Sequence, residues 1–269
     1  MRRFQLLLFN TIQKEFRSKT LILISIITVA VILLINAGLN FLSKEVLSQM
    51  GQEGAAHGTT MALIFIISKF TSLLAIIFGV NCIKSDIETN VSPLLMSFPI
   101  SRLEYLGARI LGSWIIVMSY YLFSVVIAQI LLSSSIGSIV GGPHLLGAMF
   151  YTALSNLIVI MISAFLGLNM PKIMALLMTS FMTIIVTGSN MFLKGKEWAE
   201  MTSELDFFST MALGFHMFFP RMGIIDDIGR NILLKKEIDL NIGIELGHFG
   251  VTTALFFFVF YYLFNRREI

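Results

Sequence analysis

Six stretches of this chain run for about twenty residues each with almost no charge, the length a helix needs to cross roughly 30 Å of hydrocarbon. They fall approximately at Leu21 to Leu42, Met61 to Ile83, Ile110 to Leu132, Leu145 to Leu168, Ile173 to Leu193, and Gly247 to Phe264. No water reaches the backbone at that depth, so each segment must satisfy its own N–H and C=O groups as a helix. Composition agrees: of 269 residues, 56% are hydrophobic and 13% charged. A water-soluble domain of this length could not hide so much apolar surface in one core. The expectation is an all-α polytopic membrane protein, one transmembrane domain over residues 1–269. The first long apolar run lacks a small-residue cleavage motif and is expected to be a retained span.

Orientation follows from the basic residues, which resist translocation when they lie in short flanking segments. Arg2, Arg3, Lys14, Arg17 and Lys19 precede span one, and Lys84, Arg102 and Arg109 lie between spans two and three. Lys172 separates spans four and five, and Arg266 and Arg267 follow span six. The opposite short loops, 43–60 and 133–144, hold only Lys44. Both termini are therefore expected in the cytoplasm of a multi-pass protein of the cell's inner membrane. The loop 194–246 is too long for the rule and, with six basic and nine acidic residues, is expected outside. A net charge of +3 makes no case for nucleic acid.

Three stretches outside the spans carry organisation. Within residues 1–19, Phe4, Leu8, Ile12 and Phe16 share one helical face, and Arg3, Asn10, Lys14 and Arg17 another. This is the pattern of an interfacial helix lying flat on the inner leaflet. In the loop 84–109, Ser92 and Pro93 can start a short helix that Pro99 must stop. Ser101 with Glu104 forms a capping box that restarts helix at about Arg102 and runs it into span three. In the outer loop, the apolar patch Met211 to Phe219 is too short to span, ends at Pro220, and is expected to be re-entrant or interfacial.

Enzymatic constellations are missing from the sequence. There is no HExxH, and Gly112-Ser113 and Gly137-Ser138 have no partnering histidine within a span. Gly195-Lys196 is followed by Glu197 where a nucleotide loop needs Ser or Thr, and Asn190 stands in place of the first glycine. His57, His144, His216 and His248 lack ligand spacing and read as polar residues at the outer interface; the 16 methionines read as packing. The lone Cys82 excludes an intrachain disulfide. No catalytic residue, resident cofactor or metal is expected. Ala108 with Gly112, and Ser163 with Gly167, have the four-residue spacing that lets helices approach closely.

Lys69 is the one basic residue inside a span, where a charge costs roughly 2.5 to 3.5 kcal/mol on insertion scales. Two readings compete: contact with an anionic substrate headgroup, or snorkelling outward or pairing with Glu204 or Asp206 of the outer loop.

The central loop brings a family into view. Asp86 and Glu88 at the end of span two, the segment SPLLMSF, and Pro99-Ile100-Ser101-Arg102 leading into span three, continued by Tyr105, Gly107 and Arg109, resemble the membrane subunit of type-2 ABC exporters. The amphipathic start, six spans and long fifth-to-sixth loop extend the resemblance over nearly the whole chain. Asn90 departs from it, standing where the family usually has glycine. The resemblance implies a permease without its own ATPase, paired with a second copy or homologue and with two cytoplasmic ATPases that bind ATP. It makes residues 84–109 the coupling element, with Asp86, Glu88, Pro93, Leu94, Leu95, Phe98, Pro99 and Arg102 as coupling residues. The segment FHMFFPRMGIID, 215–226, is more distantly similar to a subgroup serving gliding motility and copper-enzyme maturation.

The function expected is ATP-driven export of an amphipathic or lipid-like substrate. The runner-up is a membrane anchor that transmits conformational change from an ATPase to an extracytoplasmic protein without moving anything across.

Overall fold

The computed structural model describes residues 2–50, 52–91, 95, 97, 100–136, 142–194, 206–233, 236–237 and 240–267. Among these the chain is helical, without strands. The helices are α1 (Arg2–Phe16), α2 (Lys19–Met50), α3 (Gln52–Glu88), α4 (Arg102–Ile136), α5 (Gly142–Asn169), α6 (Lys172–Leu193), α7 (Phe207–Phe218), α8 (Met222–Leu233) and α9 (Ile242–Asn265). Five of them, α3, α4, α5, α6 and α9, are long and apolar enough to cross a membrane. A sixth crossing comes from counting α1 and α2, bent by 55° at their junction, as one broken span.

Local chemistry explains the ends. The Ser101 hydroxyl accepts from the Glu104 N–H at 3.1 Å, and the Glu104 carboxylate accepts from the Ser101 N–H at 3.1 Å, so α4 opens at Arg102 on a reciprocal cap. α3 stops at Glu88, and Asn90 adopts a left-handed backbone with φ 55°. Asparagine tolerates that region better than most residues. Pro171 ends the turn between α5 and α6, and Asp206 caps α7 with a capping box to Ser209.

α3 is the central helix. It packs along α2, α4, α5 and α6, contributing Leu74, Phe78 and Ile83 to a main core shared with Ile110 and Val117 of α4 and Ile158 and Ile160 of α5. The α3–α5 crossing is close because the residues are small. A Cβ on Gly79 would lie 2.8 Å from the Ile160 carbonyl, and one on Gly167 would lie 2.8 Å from that of Val80. The Ser163/Gly167 pair thus packs α5 onto α3 within the chain, and Gly112 admits Thr11 of α1 against α4. Exposed rows such as Ile173, Leu177, Phe181 and Ile184 on α6 suit a lipid-facing surface.

α1 departs from expectation. Leu7, Thr11 and Glu15 are its buried positions, while Leu6, Phe9 and Phe16 are exposed and Phe4, Leu8 and Ile12 are only half-buried. The packed face runs through Leu7, Thr11 and Glu15, so the polar Thr11 and Glu15 turn toward α4 and the Asp86 cluster while part of the apolar stripe faces out. α8 corrects the picture of the outer loop. Its Met222, Ile225, Ile228 and Leu233 are buried, and it packs on α5 and α6 as part of the bundle.

Candidate coupling site and polar cavity

One end of the bundle gathers α1, the ends of α3 and α5, the starts of α4 and α6, and residues 265–267. At its centre Asp86, 3% exposed, sits in the last turn of α3. The capping box starts α4 so that Tyr105 and Arg109, four apart, both face it. The Tyr105 hydroxyl donates to Asp86 Oδ2 at 2.8 Å, and the Arg109 guanidinium reaches the same oxygen. Lys14 of α1 donates to Oδ1 at 2.8 Å. Arg109, 2% exposed, also donates to Thr11 Oγ1 at 2.9 Å. One carboxylate thereby ties three helices that are distant in sequence.

Of the other proposed coupling residues, Glu88, Leu95 and Arg102 are described. Glu88 pairs with Lys172 at the surface, where both side chains are substantially exposed and such a pair is worth about 1 kcal/mol or less. Arg102 donates to the carbonyls of Asn265 and Arg267, each at 2.8 Å, binding the start of α4 to the end of α9. Arg267 in turn donates to the Leu168 carbonyl at 2.7 Å, and Lys84 to that of Met170. Cations near helix C-termini are favourably placed, so the ends of α5 and α9 are clamped rather than frayed. Leu95 is half-buried against the main core, whereas Val91 is exposed. Pro93, Leu94, Phe98 and Pro99 lie outside the described residues.

Glu15 is the second buried carboxyl here, 4% exposed. Burial pushes its pKa up from 4.5 to about 7, against the opposing pull of Lys14 and Arg109. Its ionised form is therefore held at a cost that is absent below the ordinary carboxyl pKa and complete above about pH 7. Replacing Glu15 with Gln is expected to stabilise the protein at pH 8, by on the order of 3 kcal/mol. The gain should vanish near pH 4.5, and melting curves of the detergent-solubilised protein at both pH values measure it.

Toward the other end, α3, α4, α5, α6 and α8 enclose a polar cavity of about 370 Å³. Ser68, Ser72, Tyr121, Thr152, Ser155, Asn156, Thr183 and Thr187 present hydroxyls and an amide to it, and Lys69, Asp226 and Arg230 present charges. Lys69 is exposed at its edge, with Nζ 5.1 Å from the Phe65 ring centroid. Asp206, one acid considered for it, instead accepts from the Phe207 N–H as the cap of α7; Glu204 lies outside the described residues. The acid that shares the cavity with Lys69 is Asp226, missed because the helix carrying it was not read from sequence. The buried spacing of Met222, Ile225, Ile228 and Leu233 was the available signal.

Beyond the cavity, Arg221 donates to both carboxylate oxygens of Glu245 at 3.0 Å, joining the turn after Pro220 to the first turn of α9. His216 is buried beside Asn190 Oδ1 at 3.3 Å, and burial lowers its pKa to about 4. No group of three His, Cys, Asp or Glu residues suited to a metal ion occurs among the described residues. No protein-family model and no curated protein matches the chain.

Proposed function

We propose that this chain is the permease subunit of an ATP-driven transporter of the type-2 ABC exporter kind, seated in the inner membrane with both termini cytoplasmic. α3 carries the reading. Asp86 at one end of this helix anchors the buried charge cluster, and Lys69, seventeen residues earlier and thus about 26 Å along the axis, borders the polar cavity. A displacement delivered to the loop after α3 would reach the cavity through one tightly packed helix. The burial of Asp86 makes it a positioning residue for that loop rather than a surface contact. The ATPase is a separate cytoplasmic chain, and a second permease copy or homologue completes the path. The substrate is amphipathic and exported.

The test is purification from native membranes in mild detergent, followed by identification of bound subunits. An ATP-binding subunit is expected. Leu94→Asp with Phe98→Asp should abolish its co-purification while the permease still inserts, because burial of each apolar anchor in a partner cleft is worth roughly 1.5 to 3 kcal/mol. Undiminished co-purification would refute docking at this loop. An additional outer-face protein, with no substrate moved, would favour the force-transmitting anchor.

A further inference from the structure

The polar cavity opens where a lipid can reach it. Phe65, Lys69 and Leu73 stand four residues apart on α3 and are all exposed, so a cation sits between two apolar side chains on one helical stripe. Lys69 is seven residues into the span that starts at Ala62, about 10 Å along the helix. A lysine there requires an anion or a route to water. Arg230 of α8, also exposed, is the second cation bordering the cavity. Neither is among the side chains closer than 4.0 Å in the ion pairs of the described residues.

The interior has the opposite need. Asn156, 4% exposed, lines the cavity and uses its amide N–H on the Thr152 carbonyl at 2.8 Å, which fixes its orientation. Its Oδ1 is buried and has no hydrogen-bond partner. A buried acceptor left open is unfavourable, so it points to a ligand with a donor. The Asp226 carboxylate, on the same lining, is hydrogen-bonded by Ser155 and feels the charges of Lys69 and Arg230, but is absent from those close ion pairs and keeps capacity for a further donor. The mouth thus offers two cations and the interior two acceptors. The volume lies within the range of small-molecule sites.

We propose that this cavity binds the headgroup of a zwitterionic phospholipid bearing a primary ammonium. Lys69 and Arg230 hold the phosphodiester, Asp226 and Asn156 Oδ1 accept from the ammonium, and the acyl chains stay in the bilayer beside Phe65 and Leu73. A lone inorganic anion would leave the Asn156 acceptor open, and a fully methylated ammonium has no N–H to give it. The proposal deepens the transport reading and rests on it only for the bound lipid being cargo.

The experiment uses the purified full chain in detergent without ATPase, titrated with dihexanoyl phosphatidylethanolamine, phosphatidylcholine, phosphatidylglycerol and inorganic phosphate. The ethanolamine lipid is expected to bind about ten-fold or more tighter than the others, which corresponds to one good charged contact. Asp226→Asn should remove that preference and leave phosphatidylglycerol binding as it was. Lys69→Met, which keeps the length and removes the charge of an exposed side chain, should weaken all three lipids in the folded variant. Equal binding of the three headgroups, tightest binding of inorganic phosphate, or Lys69→Met without effect would overturn the proposal. An unchanged preference in folded Asp226→Asn would do so as well. Since no ATPase is present, a negative result leaves subunit co-purification standing, and a missing ATPase leaves headgroup binding standing.

Discussion

Replacing Asp86 with alanine is expected to collapse the folded yield of this protein. The substitution strands Arg109, a guanidinium 2% exposed whose Nε already lacks a partner. Breaking a buried pair by removing one member costs about 3 to 5 kcal/mol, because the remaining charge stays desolvated and uncompensated. Lys14 will suffer less, since its side chain is over a third exposed and can turn to water. Exposing Arg109 would require α1 to leave α4, so amide exchange in residues 7–15 should rise before the spans loosen. The double substitution Asp86→Leu with Arg109→Met removes both charges and is expected to recover most of the lost stability. Melting temperature and amide exchange of the single and double variants measure this; a stable Asp86→Ala protein with protected α1 would mean that the cluster does not hold the three helices together.

Arg221→Met is expected to free the first turns of α9. That helix is buried over only 17% of its most apolar window, and its packing against the rest of the bundle is sparse. Its two ends are held by polar contacts instead: Arg102 on the carbonyls near its end, and the Arg221–Glu245 pair, in which Nη1 reaches both carboxylate oxygens, at its start. His248 adds a contact with the Met217 carbonyl at 3.0 Å. Losing Arg221 leaves Glu245, whose side chain is 12% exposed, without its counter-charge, a loss on the order of 3 kcal/mol. Proteolysis and amide exchange at residues 242–250 should increase several-fold while residues 255–265 stay protected. Unchanged exchange would show that apolar packing alone suffices to hold α9.

Much of the architecture was legible because its causes are local. An apolar run long enough to span must become helix wherever it sits in a bilayer, and the predicted spans match α3, α4, α5, α6 and α9 closely. The cap at Ser101 and the halt at Pro220 depend on residues within a turn of each other, and both occur as read. Small residues at Ser163 and Gly167 announced a close crossing, though not which helix would fill it; Gly79 and Val80 of α3 do.

The candidate sites were legible only in part. Asp86 stood out by position, yet what surrounds it comes from Lys14, Tyr105 and Arg109, up to 72 residues away in sequence. The cavity draws on five helices, and its Asp226 lies in a segment whose charge suggested a solvent-exposed loop. Sequence by itself determined where the long apolar helices form and where Ser101 and Pro220 start and stop helix, because backbone hydrogen bonding and side-chain caps act within a few residues; α8 and the helical continuation of α2 and α3 through 43–50 and 52–60 were not legible in it. Tertiary structure alone decided which charges are buried and paired and which polar groups share an enclosed space, because desolvation depends on neighbours brought together by packing rather than by the chain.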